Sequence, residues 1–97
     1  MKFADFRASL TQNAPPPALD HSLSALWWEA KGDWHKAHQC AQADEGANGA
    51  WVHAYLHRRE GDLTNAAHWY RRAGKEVAES DLADEWETIA RALLTRR

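Results

Sequence analysis

The chain has 97 residues with 12 basic and 14 acidic side chains, which gives a formal charge of −2 at pH 7. A chain of this length forms one small domain, and its nearly balanced charge gives no reason to expect a nucleic acid or an anionic membrane as partner. The single cysteine, Cys40, excludes an internal disulfide, and no apolar run approaches the roughly 18 residues of a membrane span. Charged residues within 1–7 are atypical of a signal peptide, so we expect a cytoplasmic protein.

The N-terminal segment has the pattern of a short amphipathic helix. Phe3, Phe6 and Leu10 recur at positions i, i+3 and i+7, which predicts a helix over residues 3–12. Three consecutive prolines follow, and proline removes backbone donors and favours an extended path. Residues 13–17 are therefore predicted to be a stiff connector.

Residues 18–44 are predicted to form a first helical hairpin. Leu19, Leu23 and Leu26 recur on one side of a helix. Gly32 provides the left-handed conformation that is common at helix C-termini, and Asp33 can cap the helix that returns.

Residues 49–74 are predicted to form a second hairpin after a break at residues 45–49. Its turn, Gly61-Asp62, lies 29 residues after Gly32-Asp33, and in both copies a large apolar residue follows the aspartate. The return helix is expected to bury an apolar stripe that begins at Leu63. Repeated helix pairs of this kind cannot bury their apolar faces alone, so we expect the two hairpins to stack.

A last helix is predicted over residues 80–95, with an N-cap signal at Ser80-Asp81 and apolar residues at helical spacing from Leu82 onward. It is expected to cap the stack. The predicted fold is all-α, with two stacked antiparallel helical hairpins and flanking helices at both ends, in one domain over residues 1–97.

The second hairpin resembles the tetratricopeptide repeat, in which Gly-Asp-large apolar precedes a small residue, an aromatic residue and a second small residue. The matching positions are Gly61, Asp62, Leu63, Ala66, Tyr70 and Ala73. The first hairpin matches less completely, since Asp44 stands where the family has a small residue. The offset of 29 residues is also shorter than the family repeat of about 34.

This resemblance implies a concave surface that holds a peptide or a segment of another protein. Position by position, the groove residues of the second hairpin are Trp51, Tyr55, Arg58 and Arg59. Aromatic rings beside paired arginines suit an acidic or C-terminal carboxylate-bearing segment. The alternative is that the same surface is buried in a homodimer, which makes the protein an assembly unit without a separate peptide ligand.

Other function classes have weaker support. The pairs His53/His57 and His35/His38 each share one side of a helix, but no third ligand is near either pair in sequence, so we expect no metal site. The arginines of the middle segment are offset by acidic neighbours, which argues against nucleic-acid binding. No catalytic pair or phosphate-binding loop is present, and we expect neither an enzyme nor a cofactor.

Overall fold

The helical pattern of the sequence appears as six α-helices within residues 1–95, the part of the chain that this computed structural model describes. In chain order the helices are α1 Phe3–Ala8, α2 His21–Ala30, α3 Trp34–Ala43, α4 Ala47–Arg59, α5 Leu63–Ala73 and α6 Leu82–Thr95. Residues 1–95 contain no strand, and the Cα radius of gyration of 12.2 Å is that of a compact domain of this length. The prediction of an all-α fold is confirmed.

The two Gly-Asp turns have the same backbone conformation. Gly32 and Gly61 both have φ of +85°, and Asp33 and Asp62 lie at φ/ψ of −93°/86° and −90°/76°. In each turn the aspartate amide donates to the carbonyl five residues earlier, at 2.9 Å, which is the bond of a Schellman motif. Each aspartate side chain then accepts from the amide three residues later and begins the next helix. The two helices that each turn connects, α2 with α3 and α4 with α5, pack against each other.

The start of α4 differs from the predicted break at residues 45–49. The helix begins at Ala47, after Gly46 donates its amide hydrogen to the Asp44 carboxylate at 2.9 Å. Gly49 therefore lies within the first turn, where a Cβ atom would stand 1.9 Å from the Asp44 carbonyl oxygen. Only glycine permits this close approach of α4 to the end of α3.

The main core lies among α1, α2, α3, α4 and α6. Trp27 is completely buried, and its indole N–H donates to the Ser9 hydroxyl at 3.0 Å. Trp86 donates to the Leu26 carbonyl at 3.0 Å and stacks on Phe6 with ring centroids 5.6 Å apart. These contacts attach α1 and α6 to α2.

Two predicted apolar positions differ from expectation. Leu63, expected in the buried stripe, is the first residue of α5 and is 66% exposed. The N-terminal helix predicted over residues 3–12 ends at Ala8 and continues only as a 3-10 turn over Ser9–Thr11.

Helix length bears on membrane insertion. The longest helix, α6, has 14 residues, and within residues 1–95 no helix combines the length and apolar composition needed to cross a bilayer.

Candidate functional site

A cleft lies where the end of α2, the end of α4 and the beginning of α6 meet the N-terminal segment. We call it the Arg59 cleft; its volume is about 430 Å³. Its apolar lining includes Leu10, Ala30 and Trp86, and its charged lining is Arg7, Glu29, Arg59, Asp84 and Glu87. Apolar surface beside a few charged groups is the usual composition of a binding site.

One wall of the Arg59 cleft is a buried carboxylate with two donors. Glu29 accepts from the Tyr55 hydroxyl at 3.3 Å, and its second oxygen lies 2.7 Å from Nε of Arg59. Burial raises the pKa of Glu29, an effect that Arg59 and Tyr55 oppose. Burial and the neighbouring Glu29 also raise the pKa of Tyr55, which keeps its phenol protonated as a donor.

Arg59 has N–H donors beyond the one that faces Glu29. Its side chain is 49% exposed, and Glu29 is its single ion-pair partner within residues 1–95. A guanidinium group has five N–H donors in a planar fork, so several remain for an incoming acceptor. Arg7, which also lines the Arg59 cleft, is exposed and forms neither an ion pair nor a side-chain hydrogen bond with the described residues.

The four residues predicted for the groove do not line one shared cleft. Tyr55 and Arg59 border the Arg59 cleft, although Tyr55 is only 2% exposed. Arg58 is not among the residues that line this cleft, and its guanidinium donates to Glu85 instead. Trp51 borders a separate cavity of about 160 Å³, with the Lys75 ammonium 4.3 Å from its ring centroid. Of the four residues, the Arg59 cleft therefore includes Tyr55 and Arg59 and leaves out Trp51 and Arg58.

Arg58 joins α4 to α6. Its Nη1 donates to the Glu85 carboxylate at 2.7 Å, and its Nη2 donates to the Ser80 carbonyl. Glu85, whose side chain is 4% exposed, also accepts from the Tyr70 hydroxyl. This buried carboxylate holds the first turns of α6 against α4 and α5, and so fixes one wall of the Arg59 cleft.

A second group of polar side chains lies on the opposite side of α4. We call it the histidine cluster; it consists of His38 from α3 and His53 and His57 from α4. One ring nitrogen of each lies within 4.8 Å of those of the other two. His53 and His57 are stacked with centroids 4.8 Å apart, and Trp69 stacks on His53 at 4.0 Å.

The environment of the histidine cluster keeps His53 uncharged. Burial, and then the neighbouring His57 and His38, lower the pKa of His53 to about 4. His53 also borders a cavity of about 380 Å³ between the end of α3 and α5, so solvent reaches its edge. Neutral imidazole is the form that binds metal ions.

The sequence pattern showed the two histidine pairs but not the cluster. His38 belongs to one pair and His53 and His57 to the other, and only the packing of α3 on α4 brings the three rings together. A usable signal was present, because one short turn separates the two helices and neighbouring helices in a chain usually pack.

Comparisons of the chain with protein-family models, with curated proteins and with solved structures gave no significant match.

Proposed function

We propose that the chain is a protein-interaction module that holds a short, carboxylate-bearing segment of a partner protein in the Arg59 cleft. In this proposal α2/α3 and α4/α5 are two tetratricopeptide-like hairpins with α6 as a cap. The matching turns at Gly32 and Gly61 support that arrangement. So does the position of the cleft, which lies beside α2 and α4, the first helices of the two pairs.

The observation that carries the proposal is the partly exposed guanidinium of Arg59. Glu29 orients it through Nε, and the remaining donors suit the two oxygens of a carboxylate. Leu10 and Trp86 provide apolar surface for a neighbouring side chain of the bound segment.

The acidic residues of α6, opposite in charge to Arg59, set the orientation of the bound segment. Asp84 and Glu87 both line the Arg59 cleft, and Asp81 raises the pKa of Asp84, which reflects the concentration of acidic groups there. A carboxylate beside these residues is repelled, whereas one beside Arg59 is attracted. The proposed segment therefore places its acidic group toward α4 and apolar or basic groups toward α6.

A display library of random short peptides tests this proposal. Selection on the immobilised protein is expected to enrich peptides that combine a carboxylate with an apolar residue, and one enriched peptide then serves as a fluorescent probe. Arg59→Gln should weaken that probe about tenfold or more, the loss of a charge-assisted bidentate contact. Arg59→Lys keeps the charge that faces Glu29 but loses the planar fork, so it should give a smaller loss with little change in folding.

Arg71→Gln is the matched control, because Arg71 is an exposed arginine on α5 that is not among the cleft residues. It should leave the affinity for the peptide unchanged. Enrichment of purely basic peptides, or equal losses from Arg59→Gln and Arg71→Gln, contradicts the proposal.

Homodimerisation is the second candidate. Trp51 favours it, because this large ring remains half-buried in the single chain and borders a shallow cavity that a second copy can cover. Sedimentation at micromolar concentration tests the dimer. A monomer excludes it, whereas a dimer that dissociates on Trp51→Ala supports it; because Trp51 borders a different cavity, the peptide library remains the test of the Arg59 cleft.

A further inference from the structure

We propose that the histidine cluster, His38, His53 and His57, is a binding site for a divalent late transition-metal ion, with Zn²⁺ as the ion to test first. The three residues come from two adjacent helices, and each offers one ring nitrogen within 4.8 Å of the other two. This site is separate from the Arg59 cleft and does not depend on the interaction proposed there.

The hydrogen bonds of two rings assign their tautomers. His38 Nδ1 lies 3.3 Å from the Trp34 carbonyl oxygen, and His57 Nδ1 lies 3.1 Å from a Glu60 carboxylate oxygen. Both oxygens can only accept, so each Nδ1 carries the hydrogen and each Nε2 has a lone pair. A backbone carbonyl or a carboxylate behind a histidine is the usual arrangement for orienting a metal ligand.

His53 completes the set and is the more constrained ring. It is 6% exposed, is stacked on Trp69 at 4.0 Å, and has no hydrogen bond from either ring nitrogen to the described residues. A cation can bind the three ring nitrogens that lie within 4.8 Å of one another, and one of them belongs to this largely buried ring.

Metal binding requires local closure and rotation of the rings. Around a tetrahedral Zn²⁺ with Zn–N bonds of about 2.0–2.1 Å, the ligand nitrogens stand about 3.3 Å apart, so the widest separation shrinks by at most about 1.5 Å. The stacked rings of His53 and His57, now 14° from parallel, must also turn, because imidazole lone pairs lie in the ring plane. His38 and His57 are half-buried at the surface of their helices, and rotation of their side chains supplies this movement. The cavity of about 380 Å³ reaches one member of the cluster, His53.

The charges around the cluster favour a cation. The Asp62 carboxylate lies 3.7 Å from His57 Nδ1, in addition to the closer Glu60. Imidazole ligands suit Zn²⁺, Cu²⁺ and Ni²⁺, whereas Mg²⁺ and Ca²⁺ prefer oxygen. Three histidines leave a fourth position for water or another ligand.

The test uses the full chain without a histidine tag, stripped with EDTA and titrated with Zn²⁺ against a chromophoric chelator. The expected result is one Zn²⁺ per chain, a thermal midpoint that rises with Zn²⁺ concentration, and Co²⁺ absorption typical of four-coordinate geometry. His38→Gln and His57→Gln should each weaken binding at least 100-fold. Glu60→Gln, behind the ligand, should weaken it about 10–100-fold.

His68→Gln and His21→Gln are the controls, since both histidines are exposed and lie outside the cluster. Circular dichroism of each variant checks that it is folded. The absence of stoichiometric Zn²⁺ binding by the folded wild type overturns the proposal. So does binding that His38→Gln leaves unchanged, because that result places the ion on His57 with Glu60 and Asp62 alone.

Discussion

Arg58 and Arg91 make ion pairs of equal length, the first largely buried and the second exposed. Comparing them measures how much the buried pair contributes to the free energy of unfolding. Each has a guanidinium nitrogen 2.7 Å from a glutamate oxygen on α6. The side chains of Arg58 and Glu85 are 16% and 4% exposed, whereas those of Arg91 and Glu87 are 58% and 39% exposed. The perturbation is Arg58→Met, which removes the charge but keeps an unbranched apolar stem.

The magnitude follows from the carboxylate that remains. Without Arg58, the buried Glu85 retains the Tyr70 hydroxyl as a donor but has no opposite charge. Breaking a buried pair in this way typically costs about 3–5 kcal/mol. We therefore expect Arg58→Met to lower the free energy of unfolding by about 4 kcal/mol at pH 7.

The assay is urea unfolding followed by circular dichroism at pH 7. Arg91→Met should lose no more than about 1 kcal/mol, from an exposed ion pair and the guanidinium contact with the Phe3 ring. Equal losses for the two variants would refute the reasoning.

Three further changes have expected outcomes. Gly49→Ala should lower the free energy of unfolding by about 1–3 kcal/mol despite the better helix propensity of alanine, because the new Cβ meets the Asp44 carbonyl at 1.9 Å; a urea midpoint at or above that of wild type contradicts this. The metal-free protein should lose about 2 kcal/mol between pH 7 and pH 5, because the unfolded chain takes up a proton near pH 6.5 whereas folded His53 has a pKa of about 4. In His53→Gln that part of the slope should disappear, and an unchanged slope assigns the loss to other groups. Tyr55→Phe should lower the free energy of unfolding by about 1.5 kcal/mol, because the buried Glu29 loses a donor at 3.3 Å; a urea midpoint equal to that of wild type contradicts this.

The local chemistry of the chain was sufficient to predict the helices and the turns. Asp33 and Asp62 cap helices through bonds that span three residues, and Gly32 and Gly61 adopt the positive φ that their positions require. These features depend on neighbours in sequence, so they can be read without knowledge of the packing. Whether a residue is buried or exposed was harder to predict at helix ends, as Leu63 illustrates.

The two candidate sites are formed by contacts between helices, and these contacts could not be predicted from the sequence. Arg58 and Arg59 are adjacent and chemically identical, yet residues one apart on an α-helix point about 100° apart, so one reaches Glu85 and the other Glu29. Sequence spacing alone gave no means to choose between them. The histidine cluster was missed for a related reason, since His38 lies on a different helix from its two partners.

Helix α4 carries both proposed sites on separate stripes, and this determines how their variants must be interpreted. Tyr55 and Arg59 are four residues apart and face the Arg59 cleft, while His53 and His57 are four residues apart and face α3. A substitution that acts at one stripe should change the affinity for one ligand alone. A substitution that loosens α4 as a whole must lower the affinities for both peptide and Zn²⁺ by the same factor, because both ligands bind only the folded helix. Parallel titrations of every variant with both probes therefore separate a contact with ligand from a loss of folding.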